Sequence, residues 1–174
     1  MELTAPGFKL RKWTPEDAPA LQKHANNRNI SDFLLDRFPC PYTLKDAIDH
    51  IEGKLQQEQV QNFAIEVNGE AAGVIGVEFR QDVYRKTPLL GYWLAEPYWG
   101  KGIMPQAVKL ITAYAFDTFD IISIQAMVLD KNAKSRRVLE KAGYEKQGVL
   151  RQSVVKNDEV WDEHVYAAFR KQEM

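Results

Sequence analysis

At 174 residues and a formal net charge of -1, the chain is long enough for one domain with a buried core, and it carries no global field that would recruit nucleic acid or an anionic membrane. Hydrophobic residues make up 45% and charged residues 27%, ordinary for a soluble protein, and no apolar run approaches the roughly 20 residues that span a bilayer. The single cysteine, Cys40, excludes an intramolecular disulfide, and residues 1–12 lack the apolar stretch of a secretory signal, so a cytoplasmic protein is expected.

No repeat, low-complexity tract or Gly/Ser linker divides the chain, so a single domain over 1–174 is expected. Phe8 and Leu10 alternate with Lys9 and Arg11, and the alternation, carried on to Trp13, predicts a first strand. Thr14-Pro15-Glu16-Asp17 reads as a helix start, with Thr14 as cap, Pro15 in the first turn and two acids complementing the helix dipole. A short helical segment from Asn29 to Leu35 follows, and then a turn at Pro39-Cys40-Pro41. Thr43 and Asp46 open another helix, whose stripe is read as Ile48, Ile51 and Leu55.

Asn62 to Val67 and Ala71 to Arg80 read as two strands joined by Asn68-Gly69, a pair that accepts the positive φ angles of a tight hairpin turn. A strand is expected from Pro88 to Ala95. A helix follows from Met104, with Met104, Val108, Ile111 and Ala115 on one face. Ile121 to Leu129 is a further strand, and Asn132 to Ala142 a short helix with Asn132 as cap and Gly143 as terminator. Tyr144 to Lys156 and Val160 to Phe169 close the chain as a hairpin about Asn157-Asp158. This order predicts a mixed α/β fold, a sheet with helices on both faces.

The most informative stretch runs from Gly91 to Met104, where a strand enters a glycine-bearing turn that opens directly onto a helix. The first N–H groups of a helix lack helical partners and carry a partial positive charge, which suits a phosphate. Gly100 and Gly102 remove side chains that would hold a diphosphate away, and Pro105 costs little in the first turn. A dinucleotide fingerprint is excluded by Pro105 where glycine is required, and no P-loop is present.

Gly91-Tyr92-Trp93-Leu94 followed by Tyr98-Trp99-Gly100-Lys101-Gly102-Ile103-Met104 resembles the cofactor motif of the GNAT superfamily of N-acetyltransferases, most closely its ribosomal-protein (RimJ/RimL-like) branch. In the general pattern Gln/Arg-x-x-Gly-x-Gly/Ala, Trp99 stands first, Gly102 at the central glycine and Met104, a departure, last. Asp130-x-Asn132-x-x-Ser135-x-x-Val138-Leu139-Glu140-Lys141-Ala142-Gly143-Tyr144 resembles the next helix of that family. The resemblance implies a mostly antiparallel seven-stranded sheet, splayed between its fourth and fifth strands, the ones ending near Leu94 and Leu129.

The resemblance also implies acetyl-CoA as co-substrate and transfer of its acetyl group to a primary amine by direct attack through a tetrahedral intermediate. Tyr92, Trp93 and Leu94 would hold the thioester carbonyl through backbone N–H groups, and Gly100, Lys101, Gly102, Ile103 and Met104 the pyrophosphate, with Trp99 in the motif. Asn132 would contact the pantetheine as well as cap its helix. By the same resemblance Ser135 is the acid that protonates the leaving thiolate, although by residue type alone it reads as a first-turn helix residue. The branch often places a glutamate where this chain has Leu89, and Glu78 on the preceding strand is the nearest substitute base; a solvent-facing residue opposite Arg80 is the plainer reading. At pH 7 roughly a seventh of an α-amine of pKa near 7.8 is neutral, against about one lysine in 2,500, so a missing base favours an N-terminal α-amine as acceptor.

Acetylation of a small amine (a polyamine or an aminoglycoside) is the enzymatic alternative, and an acyl-CoA-binding sensor the non-enzymatic one. A homodimer is a family-level expectation. His24, His50 and His164 lack ligand spacing, so no metal is expected, and Cys40, without a cationic neighbour in view, is not expected to be a nucleophile. Trp13, Trp93 and Trp161 are assigned to packing. Lys134, Arg136, Arg137 and Lys141 form a basic helix face, read as solvated.

Overall fold

A computed structural model describes residues 1–171; the last three residues of the expected domain lie outside that range. The described residues fall into two compact units, one of Met1–Gly76 with Tyr92–Ile103, the other of Val77–Gly91 with 104–171. The unit boundaries fall inside secondary-structure elements rather than in linkers. The strands follow the order β1 (Glu2–Ala5), β2 (Phe8–Arg11), β3 (Asn62–Val67), β4 (Glu70–Glu78), β5 (Leu89–Leu94), β6 (Ser123–Leu129), β8 (Glu159–Phe169) and β7 (Glu145–Lys156). That is eight strands where seven were expected. The additional one is β1 (Glu2–Ala5), which pairs antiparallel with β2 (Phe8–Arg11) through a turn that holds Gly7 at φ +85°.

In the first unit β2 buries Phe8 and Leu10, and the strand stops at Arg11. The alternation therefore does not continue to Trp13 in phase: Trp13 is buried and Lys12 exposed. Pro15–Asp17 forms a 3-10 turn ahead of α1 (Ala18–Ala25). Asp17 does not serve chiefly as a dipole acid. Its carboxylate receives the Arg11 guanidinium through two bonds of 2.8 Å and the Thr14 N–H at 2.9 Å. The second helix, α2, is shorter and earlier than expected, Arg28–Ser31.

In α3 (Leu44–Leu55), Thr43 and Asp46 form the expected capping box. Its buried face is Ala47 and Ile51, whereas Ile48 and Leu55 are 40% and 48% exposed. The small Ala47 side chain belongs to the cluster that holds Leu21 and Ala25 of α1 together with Trp13 and Tyr42. β3 (Asn62–Val67) and β4 (Glu70–Glu78) pair antiparallel about Asn68 and Gly69, both at positive φ. At Gly73 an added Cβ would stand 2.6 Å from the Trp93 carbonyl oxygen, so only glycine admits that backbone so close to β4.

The second unit begins with the end of β4 and the start of β5 (Leu89–Leu94). The helix α4 (Ile103–Thr118) buries Met104, Val108, Ile111 and Ala115, the expected face. β6 (Ser123–Leu129) is parallel to β5 through one register pair, Leu89 with Gln125. α5 (Ala133–Lys141) is capped by Asn132, whose Oδ1 accepts the Ser135 N–H at 3.2 Å, and Gly143 takes φ +87° just beyond it. β7 (Glu145–Lys156) and β8 (Glu159–Phe169) form the closing hairpin, with Asn157 and Asp158 at positive φ, and β8 pairs antiparallel with β6. Among the described residues no helix is long and apolar enough to cross a membrane.

Candidate active site

β5 ends at Leu94, and a 3-10 turn over Glu96–Tyr98 carries the chain into the glycine loop. Three bonds shape that connection. Tyr98 N–H donates to the Ala95 carbonyl at 3.0 Å, Trp99 N–H to the Glu96 carbonyl at 3.1 Å, and the Trp99 indole N–H to the Leu94 carbonyl at 2.7 Å. The Glu96 carboxylate is held in turn by the side-chain amides of Asn27 and Asn29 at 2.6 to 3.2 Å. Sequence reading missed this clasp, because its partners are nearly 70 residues apart.

Gly100 and Gly102 follow at φ +73° and +74°, a conformation that favours glycine, and an added Cβ at either would meet nothing within 4 Å. The space over the loop is open, and the first turn of α4 starts at Ile103 with Pro105 inside it. Two glycines in the left-handed region leading into a helix N-terminus form a cradle in which backbone N–H groups can face an anion. The site residues therefore fit a diphosphate. Lys101 Nζ lies 5.5 Å from the Tyr98 ring centroid, and Met104, at the last motif position, is buried.

Of the remaining expected residues in the first unit, Tyr92 and Trp93 are half-buried and Leu94 is buried. Trp93 packs edge-on against Phe38 at 6.1 Å. A cavity of about 850 Å³ opens beside Tyr98, lined also by Lys23, His24, Arg28, Glu70 and Glu96. Glu70 already receives His24 at 3.1 Å and Lys23 at 3.6 Å.

In the second unit the structure brings Asn132 and Ser135 together through the helix cap. The turn before them is braced by a pair that sequence spacing does not reveal: His164 Nε2 and Asp130 Oδ1 lie 2.8 Å apart. That pairing holds the Asp130 carboxyl below its usual range, and the Arg136 guanidinium donates to the Asp130 carbonyl. Tyr144, just beyond this helix, is bonded to Thr112 Oγ1 at 2.8 Å, and burial pushes its hydroxyl up to about 12; it is a packing residue and a poor acid. Glu78 is exposed at the end of β4. The Arg80 guanidinium donates to Thr87 and Gln125.

A strand, a glycine-bearing turn and a helix that together fit a diphosphate are followed by a capped Asn-x-x-Ser helix. A family model described as an acetyltransferase (GNAT) domain matches residues 8–145. The chain is 44% identical over 147 residues to the probable N-acetyltransferase YjcK of Bacillus subtilis (strain 168), spanning 80% of each chain. It is 24% identical over 148 residues to the spermidine N(1)-acetyltransferase of Escherichia coli (strain K12), spanning 84% of this chain and 77% of that one. In fold it is similar to RimL, a ribosomal L7/L12 alpha-N-protein acetyltransferase solved with coenzyme A, with a TM-score of 0.84, 22% identity and coverage of 97% and 98%. The chain belongs to the GNAT acetyltransferase family. It is an acetyl-CoA-dependent N-acetyltransferase.

Proposed function

We propose that this enzyme acetylates the N-terminal α-amine of a protein or peptide. The observation that carries the donor half is the loop over residues 100–102, whose two glycines at positive φ leave open space where the pyrophosphate of acetyl-CoA fits. Backbone N–H groups along Tyr92–Leu94 polarise the thioester carbonyl and then hold the developing oxyanion. The neutral amine attacks that carbon, and the carbon–sulfur bond breaks as the oxyanion collapses. Ser135 delivers a proton to the departing sulfur and is reprotonated through water by the proton that the acylated nitrogen gives up, while Asn132 contacts the pantetheine.

Leu89 stands where the branch often has a carboxylate, so the acceptor must reach the site already neutral or lose its proton through water or Glu78. An α-amine meets that requirement far more readily than a lysine. The likeness in fold to RimL supports the same reading. The likeness in sequence to a spermidine N(1)-acetyltransferase favours a small polyamine as the second reading. Against it, both carboxylates lining the cavity are already engaged, Glu70 by His24 and Lys23 and Glu96 by Asn27 and Asn29. A polycation would have to displace those partners.

Release of free coenzyme A thiol from acetyl-CoA, followed across a panel of peptides and polyamines, tests the proposal. Turnover confined to peptides with free N-termini supports it, and turnover confined to polyamines replaces it with the second reading. In the same assay Ser135→Ala is expected to lower kcat by about 100-fold with an unchanged KM for acetyl-CoA. An undiminished kcat removes Ser135 from the role of acid.

A further inference from the structure

We propose that His164 is a positioning residue for acetyl transfer: by holding Asp130 it fixes the turn from β6 to α5 on which Asn132 and Ser135 stand. Its importance rests on the role of proton donor proposed above for Ser135. β6 ends at Leu129, and one further backbone bond, from the Asp130 N–H to the Asp162 carbonyl at 3.0 Å, ties the chain to β8 before α5 begins. His164 pairs with Val128 across the β6–β8 ladder, and its ring reaches along the strand to Asp130 Oδ1 at 2.8 Å.

That bond holds the Asp130 carboxyl below its usual range, so the carboxylate accepts and the ring hydrogen sits on Nε2. Nδ1 is buried and has no hydrogen-bond partner among the described residues. The hydrogen bonding of the ring is therefore directed at Asp130. The His164 side chain is 12% exposed and that of Asp130 49%, so one end of the bond is anchored in the sheet and the other lies at the surface. A bond half open to water adds little to global stability; what it controls is where the turn sits.

From Asp130 the constraint passes to Ser135 through consecutive bonds. The Arg136 guanidinium donates to the Asp130 carbonyl, and the Asn132 N–H donates to the Leu129 carbonyl at 2.9 Å. Asn132 Oδ1 accepts the Ser135 N–H at 3.2 Å, and the Arg136 N–H returns to the Asn132 carbonyl at 3.3 Å. Lys131 is held by Glu159 and lies 4.6 Å from the Trp161 ring centroid, while the Trp161 indole N–H donates to the same carboxylate at 3.0 Å. β8 thus grips two successive residues of the turn, Asp130 through His164 and Lys131 through Glu159. The second grip joins two exposed, flexible side chains, whereas the imidazole is rigid and largely buried, so the first sets the position. All of these residues lie in the second unit.

The test is kcat in the thiol-release assay, with a peptide bearing a free N-terminus, or with spermidine should that prove the acceptor. In His164→Leu kcat is expected to fall about tenfold, a size set by the sensitivity of proton transfer to position. In His164→Gln, whose amide nitrogen takes the place of Nε2, it is expected to stay within about twofold of wild type. The deciding measurement is the double-mutant cycle with Ser135→Ala. A residue that acts through Ser135 loses its effect once the hydroxyl is gone, so His164→Leu added to Ser135→Ala lowers kcat no further. A merely structural residue would lower kcat alike in both backgrounds, and that result overturns the inference, as does an unchanged kcat in His164→Leu or a failure of glutamine to rescue. If His164→Leu does not fold, Asp130→Ala, which removes the exposed end of the bond, carries the same cycle. An undiminished kcat in Ser135→Ala alone removes the proposed acid and this inference with it, a result distinct from a failure of the cycle.

Discussion

Trp99 spends both of its nitrogen donors inside its own turn, the indole on the Leu94 carbonyl and the backbone N–H on the Glu96 carbonyl. These two bonds set the path by which β5 reaches Gly100. His50 shows the opposite relation between residue and surroundings. Its ring stands edge-on to Trp13 at 5.3 Å, its Nε2 is buried with no hydrogen-bond partner among the described residues, and burial pushes its pKa from 6.5 down to about 4, with Lys54 adding to the shift and a bond to Asn62 opposing it. Between those two values the unfolded chain binds a proton that the folded chain refuses. The stability that neutral His50 brings is therefore complete above about pH 6.5 and lost as pH falls toward 4, by an amount on the order of 2–3 kcal/mol. Denaturant midpoints measured from pH 7 to 4 are expected to fall in wild type and to fall less in His50→Leu; parallel profiles contradict this account of His50. The sequence showed only a histidine on a helix, because its burial is a property of the folded chain, in which Trp13, 37 residues earlier, packs against it.

Among the elements, α4 and the hairpin about Asn68-Gly69 were legible because their signals are local, a 3.6-residue period in one and a turn dipeptide in the other. The face of α3 was misread because two phases fit its apolar residues, and the choice of Ala47 over Ile48 was made by the α1 helix packed beside it. β1 escaped notice for a different reason: a four-residue strand at the end of the sheet, none of it buried, carries almost no hydrophobic pattern. β4 holds an element-scale constraint on the site. Gly73 lets the backbone at Trp93 and Leu94 approach it, with Leu94 Cα 3.2 Å from where a Cβ would stand. Gly73→Ala must displace that backbone, a cost of about 1–3 kcal/mol. A lowered Tm together with a raised KM for acetyl-CoA is the expected result. A lowered Tm with an unaltered KM would show that Trp93 and Leu94 lie away from the thioester.

For the molecule as a whole, the donor was readable and the acceptor was not, and the reason is physical. The features that fit the donor are concentrated in one contiguous stretch, a strand end, two glycines and a helix start, where backbone geometry narrowly constrains residue type. Side chains from separate segments, such as those of the Asn27, Asn29 and Glu96 clasp, meet only in the folded chain, and no spacing in the sequence encodes their meeting. The family follows from the first kind of feature and covers residues 8–145. The measurement that tests the central claim most directly is a calorimetric titration of the full chain and of Gly102→Glu with acetyl-CoA. The account expects saturable binding to wild type and at least a tenfold weaker Kd for the variant, about 1.4 kcal/mol, because glutamate would bring both backbone strain and negative charge to the cradle. Equal affinity for the two proteins, or no binding to wild type, would contradict it.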